Sequence, residues 1–169
     1  MSGLRLIAAA ALVAAAGAAW AAGGSMKPWT GGATPPLSLR DLDGKERKLE
    51  DYKGKVVVLN FWATWCDPCR EEMPAMQRLQ EKLAGKLAVV AVNYGEGPPR
   101  IKDFLKSVPV RFTVLLDRDT SAATAWKVKV LPTTLVIDPQ QKIRFVAIGD
   151  VGWDSKGVEE QIRNLLPPG

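Results

Sequence analysis

The stretch Val56-Val57-Val58-Leu59-Asn60-Phe61-Trp62-Ala63-Thr64-Trp65-Cys66-Asp67-Pro68-Cys69-Arg70-Glu71-Glu72-Met73-Pro74 decides the fold. Residues Val56 to Trp62 form a nearly continuous apolar run rich in β-branched side chains, the pattern of a strand buried on both faces. From Asp67 to Ala84 the apolar residues Met73, Met76, Leu79 and Leu83 recur at spacings of three and four, and Gly85 supplies a stop. That spacing predicts a helix. A central strand therefore runs into a helix through a turn that holds two cysteines.

Cys66 and Cys69 are the only cysteines, and the chain has no histidine. A Cys-x-x-Cys pair can be half of a zinc site, two small core residues or a redox couple. Zinc needs about four ligands, and the chain offers neither a second pair nor a histidine. The inert reading does not suit the first turn of a helix, where free backbone N–H groups and the helix dipole stabilise a thiolate. Redox chemistry is the natural use, with no metal and no cofactor beyond a Cys66–Cys69 disulfide. The missing histidine also excludes Ser-His and Cys-His nucleophile pairs and His-ligated copper and haem.

The two sulfurs are expected to differ. Cys66, at the helix end, attacks; Cys69, on the turn that enters the core, resolves the mixed disulfide. Pro68 fits an early helical position, where its missing N–H costs little, and it stiffens the turn. Asp67 is favoured by the helix dipole, yet its negative charge beside Cys66 disfavours the thiolate and makes a weaker oxidant. A plain helix-capping role for Asp67 is equally compatible with the sequence.

Working outward, residues 1–22 carry Arg5, an alanine-rich apolar run and the small-residue triplet Ala19-Trp20-Ala21, as in a signal peptide. Retained, the run from Leu6 to Ala22 sits at the lower limit for a membrane anchor. Residues 23–33 read as a Gly- and Pro-rich tether, leaving 34–169 as the domain. Leu37 to Leu39 and Arg47 to Leu49 suggest a hairpin at the sheet edge. Leu87 to Asn93 is a second apolar strand, followed by a loop from Tyr94 to Pro99 and a helix from Arg100 to Ser107. Phe112 to Leu116 reads as a strand and Thr120 to Trp126 as a short helix. Thr133 to Ile137 and Ile143 to Ile148 form a hairpin, Gly149 to Gly152 breaks the chain, and Ser155 to Leu166 is the last helix. This order argues for a three-layer α/β domain around a mixed sheet.

Composition agrees with one core: 169 residues, 47% hydrophobic and 24% charged. The net charge of +5 is scattered, so the clustered basic stripe of a nucleic-acid binder is absent from the sequence.

From Phe61 to Pro74 the chain resembles the thioredoxin-like family of bacterial extracytoplasmic reductases, including those of cytochrome c maturation and cytochrome oxidase assembly. Val130-Leu131-Pro132-Thr133-Thr134-Leu135-Val136-Ile137-Asp138 is similar to the family's second hallmark. The resemblance covers about Thr34 to Leu166. It implies a thioredoxin-like fold with an N-terminal β-hairpin extension and an added strand-helix region between Asn93 and Asp117. It also implies a cis peptide bond before Pro132, with the Leu131 backbone free to pair with substrate, and a place for Trp65 on the substrate surface while Trp62 is core. In relatives the glutamate matching Glu72 is a partly buried acid near the cysteines. Thioredoxin has an aspartate where this chain has Asn60, which moves the acid/base role to Glu72. An exposed helix carboxylate beside Glu71 is the alternative.

The expected function is reduction of cysteine pairs in an apocytochrome or a copper-site protein, outside the cytoplasm, by a monomer supplied with electrons by a transmembrane thiol carrier. A disulfide-forming oxidase and a Cu(I)-binding module using both thiolates are the competing readings. A peroxidase reading lacks the proline-threonine context before the first cysteine.

Overall fold

The computed structural model describes residues 26–167. The expected targeting segment lies outside the described residues, as do the first residues of the expected tether. In chain order the elements are β1 (Lys27–Pro28), β2 (Ser38–Asp41), β3 (Glu46–Lys48), β4 (Val56–Trp62), α1 (Asp67–Lys82), β5 (Leu87–Tyr94), α2 (Pro98–Ser107), β6 (Thr113–Asp117), α3 (Ser121–Ala125), β7 (Thr133–Ile137), β8 (Ile143–Ile148) and α4 (Lys156–Arg163). The strands form one eight-stranded sheet in the order β1-β8-β7-β4-β5-β6-β2-β3. Strands β4, β5 and β6 are parallel, and every other pairing is antiparallel.

Strand β4 is buried along its whole length, as its sequence requires. Successive side chains point to opposite faces. Val56, Val58 and Trp62 join the core beneath α1, α2 and α4, with Met73, Met76, Leu79, Ile101, Phe104, Val158 and Ile162. Val57, Leu59 and Phe61 join a second core closed by Ala123, Trp126, Leu37 and Leu49. These are the three layers. Each fully buried side chain of this size contributes about 1.5–3 kcal/mol relative to exposure. Among the described residues no helix is long and apolar enough to cross a membrane.

Several boundaries differ from the sequence reading for identifiable reasons. Helix α2 begins at Pro98 rather than Arg100, because proline in the first turn gives up only an N–H that has no helical partner. Helix α1 ends at Lys82, with Leu83 as its C-cap and Gly85 at φ +83° completing the stop. Helix α4 is shorter than Ser155 to Leu166; Ser155 is its N-cap and accepts a hydrogen bond from the Val158 N–H. Asp41 closes the β2–β3 hairpin by accepting from the N–H groups of Asp43 and Lys45. Residues 26–33, read as the end of a tether, pack on the domain: Met26 is buried, Lys27 and Pro28 pair with Val146 and Phe145, and the Trp29 N–H bonds the Arg144 carbonyl. Across β8 and β7, Lys27 stands level with Leu59, the middle of β4, and the step from Pro28 to Lys27 points toward the end of the sheet where Phe61, Thr133 and Ile148 stand side by side.

Candidate active site

The turn between β4 and α1 places Cys66 at the helix N-cap, in extended conformation, with Asp67 and Pro68 as the first helical residues. Cys66 and Cys69 are joined by a disulfide, their Cα atoms 5.3 Å apart. Cys66 retains 6% exposure and Cys69 has none, so a partner sulfur can reach only the first. The two sulfurs are thus unequal in exposure. The reading of Asp67 as the cap gives way, since Cys66 holds that position and the Asp67 side chain is exposed.

The Leu131-Pro132 peptide bond is cis, Pro132 is buried and Leu131 half-buried. Pairing of Thr133 with Phe61 sets this bond at the end of the sheet from which the Trp62–Cys66 turn emerges. Trp62 is wholly buried, whereas Trp65 is 59% exposed. Trp65, Tyr94, Val128, Lys129, Val130 and Leu131 line a groove of about 150 Å³ beside the turn. A larger hollow of about 610 Å³ lies between the β2–β3 hairpin and the end of β6, away from the cysteines.

Glu72 follows Cys69 by one helical turn, on the same face of α1. Far from being an exposed neighbour of Glu71, it is 1% exposed. Its Oε1 accepts from Asn60 Nδ2 at 2.7 Å and its Oε2 from Trp153 Nε1 at 2.9 Å. Asn60 Nδ2 also donates to Thr134 Oγ1 at 2.9 Å, while Asn60 Oδ1 is buried without a partner. Burial pushes the Glu72 carboxyl up from 4.5 to about 8; the bonds from Trp153 and Asn60 pull it down, and the nearby Asp150 charge pushes it up. An acid with that value exchanges protons near neutral pH.

A second buried carboxylate was not singled out in the sequence. Glu96, in the loop after β5, accepts from the Thr64 N–H at 2.8 Å, from Thr64 Oγ1 at 2.5 Å and from Asn93 Nδ2 at 2.8 Å. Arg100 Nε lies 2.8 Å from its Oε1. Burial would raise its pKa, but these donors outweigh burial and hold it below the ordinary glutamate value. Glu96 thus fastens the turn carrying Trp65 to the loop carrying Tyr94. Only its place in a glycine- and proline-rich loop hinted at this in sequence, because its partner Thr64 is 32 residues away.

The chain matches the profile of the AhpC/TSA family over residues 30–146. It is 39% identical over 140 residues to the thiol-disulfide oxidoreductase ResA of Bacillus subtilis, a match that covers 82% of this chain and 76% of ResA. With the thioredoxin-like protein YneN of the same organism it shares 42% identity over 118 residues, or 68% of this chain and 69% of YneN. Among solved structures, a Chlorobium tepidum protein described as the thiol:disulfide interchange protein DsbE superposes with a TM-score of 0.74 at 35% identity, covering 83% of this chain and 99% of that one. MTB DsbF superposes with a TM-score of 0.68 at 28% identity, covering 76% and 94%. A disulfide at a helix N-cap, a cis proline at the same end of the sheet and these similarities lead to one conclusion: the chain belongs to the AhpC/TSA family and is a thioredoxin-like thiol-disulfide oxidoreductase.

Proposed function

We propose that this protein works as a reductase outside the cytoplasm, with residues 1–22 as its export signal or membrane anchor. Its substrates are cysteine pairs of an apocytochrome c or of a copper-site assembly protein, and a transmembrane thiol carrier restores its own dithiol. The observation that carries the reading is the asymmetric pair: Cys66 reachable, Cys69 enclosed, and the Glu72 carboxyl one turn behind.

The reduced Cys66 thiolate attacks one sulfur of a substrate disulfide. The Cys66–substrate bond forms, the substrate S–S bond breaks, and the leaving thiolate takes a proton from solvent. The Cys69 thiol then gives its proton to the Glu72 carboxylate and attacks Cys66. The Cys66–Cys69 bond forms, the mixed disulfide breaks, and the second substrate sulfur departs as a thiolate that takes its proton from solvent, while Glu72 returns the proton it accepted to solvent. Two electrons have passed to the substrate. Trp65 and Leu131, which line the groove beside the turn, receive the substrate chain together with the cis Pro132 that follows Leu131, and the Asp67 charge opposes excessive stabilisation of the Cys66 thiolate. No cofactor beyond the cysteine pair takes part.

Measuring the reduction potential of the pair tests the direction of electron flow. The expected value is closer to the roughly −270 mV of thioredoxin than to the roughly −120 mV of DsbA, and a value near the latter would make the protein an oxidase. The variant Cys69→Ala, expressed in its own cell, is expected to accumulate its substrate as a mixed disulfide through Cys66.

A further inference from the structure

Trp153 belongs to none of the motifs that mark the site, and it stands 81 residues from Glu72 in sequence. It lies in the segment between β8 and α4, which bends at Gly149 (φ +78°) and Gly152 (φ +65°), backbone conformations that glycine adopts without strain. The same segment is tied to the cis-proline loop, since the Gly149 N–H donates to the Pro132 carbonyl at 2.9 Å. The Trp153 side chain is completely buried, and its indole N–H has the Glu72 carboxylate as its partner. A buried indole N–H that loses its partner costs the full desolvation of that group, so ring and carboxylate fix one another. The groups that face Glu72 are Asn60 from β4, Cys69 from α1, and Trp153 and Asp150 from the segment after β8.

From this arrangement we infer that Trp153 is a positioning residue for thiol-disulfide exchange: its indole N–H holds the Glu72 carboxylate in place and favours the ionised form that takes the Cys69 proton. The inference rests on Glu72 being that proton acceptor. The proton moves from the Cys69 thiol to Glu72, the electron pair left on Cys69 forms the bond to Cys66, and the substrate sulfur leaves with the electrons of the broken mixed disulfide. Asn60 alone does not hold the acid, because one of its two Nδ2 hydrogens serves Thr134 and the other reaches only Oε1, leaving Oε2 to Trp153. Removing the indole donor leaves Glu72 Oε2 without a hydrogen bond in a buried site, which favours the neutral acid.

The test is titration of the Glu72 carboxyl in the disulfide form, where no cysteine titrates, by carboxyl infrared bands assigned with Glu72→Gln. In the parent protein the midpoint is expected near 8. In Trp153→Phe it should rise by about one pH unit, as loss of one hydrogen bond to a charged group requires. Resolution of a mixed disulfide through Cys66 should then slow at neutral pH and recover above the raised midpoint. A purely structural role would lower the rate equally at every pH. An unchanged midpoint overturns the assignment of Trp153. A resolution rate in Glu72→Gln equal to the parent's overturns the proton-acceptor reading instead, whatever the midpoint. If Trp153→Phe does not fold, the parent supplies the answer: the Trp153 indole N–H resonance should shift with the carboxyl midpoint, and a resonance constant across that range rejects the proposal.

Discussion

Glu72 places a carboxyl group where water barely reaches, and the consequence is measurable in stability as well as in proton transfer. In the unfolded chain the group ionises from about its ordinary value of 4.5, but in the fold only near 8. Between those values the unfolded state has released more protons than the folded one, so stability falls as pH rises across the window and is flat above it. Glu72→Gln removes this dependence. The variant should match the parent near the lower end of the window and exceed it near the upper end, by about 2–5 kcal/mol. Urea unfolding midpoints at both ends check this. The substituted amide, like the neutral acid, keeps a carbonyl oxygen that accepts from one of the two donors, Asn60 or Trp153.

At the scale of elements, the β5–α2 loop is held to the active-site turn through Glu96. Glu96→Ala removes the acceptor of the Thr64 N–H and of Asn93 Nδ2, and about 1–3 kcal/mol of stability should be lost with each such buried donor left unpaired. Hydrogen exchange at Thr64 should quicken in the variant while that of β4 stays slow. Helix α1 allows a contrasting test, because Met76 is fully buried beneath it. Met76→Ala should cost about 2–5 kcal/mol and lower the denaturant midpoint of the whole domain rather than loosen one loop. The elements themselves were legible in sequence wherever their stabilising pattern was local. The buried strand Val56–Trp62, the helix that follows it and the Cys66–Cys69 pair announce themselves by periodicity and spacing. Strand β1 does not, because two residues including Pro28 carry no pattern and their pairing with β8 spans more than a hundred positions. Glu96 and Trp153 escaped for the same reason: each is defined by a hydrogen bond to a distant segment, and only the glycine- and proline-rich loop around Glu96 gave a hint of it.

Across the whole molecule the disulfide, the cis-proline loop and the exposed Trp65 share one end of the sheet, while α1 runs from that end toward the other. Arg78 and Lys82, later in α1, bond Asp154 and Glu159, so α4 starts partway down and carries the chain away from the cysteines. Strand β1 does the opposite. Its register against β8 turns Met26 toward the cysteine end. The two termini of the described domain are therefore unequal handles. A bulky fusion or a solid support joined ahead of Met26 stands in the path of an approaching protein substrate, whereas the same cargo joined after Pro167 stands behind the catalyst. Attached to beads by its front, the domain should reduce a small disulfide normally and a folded protein slowly; attached by its rear, it should treat both alike.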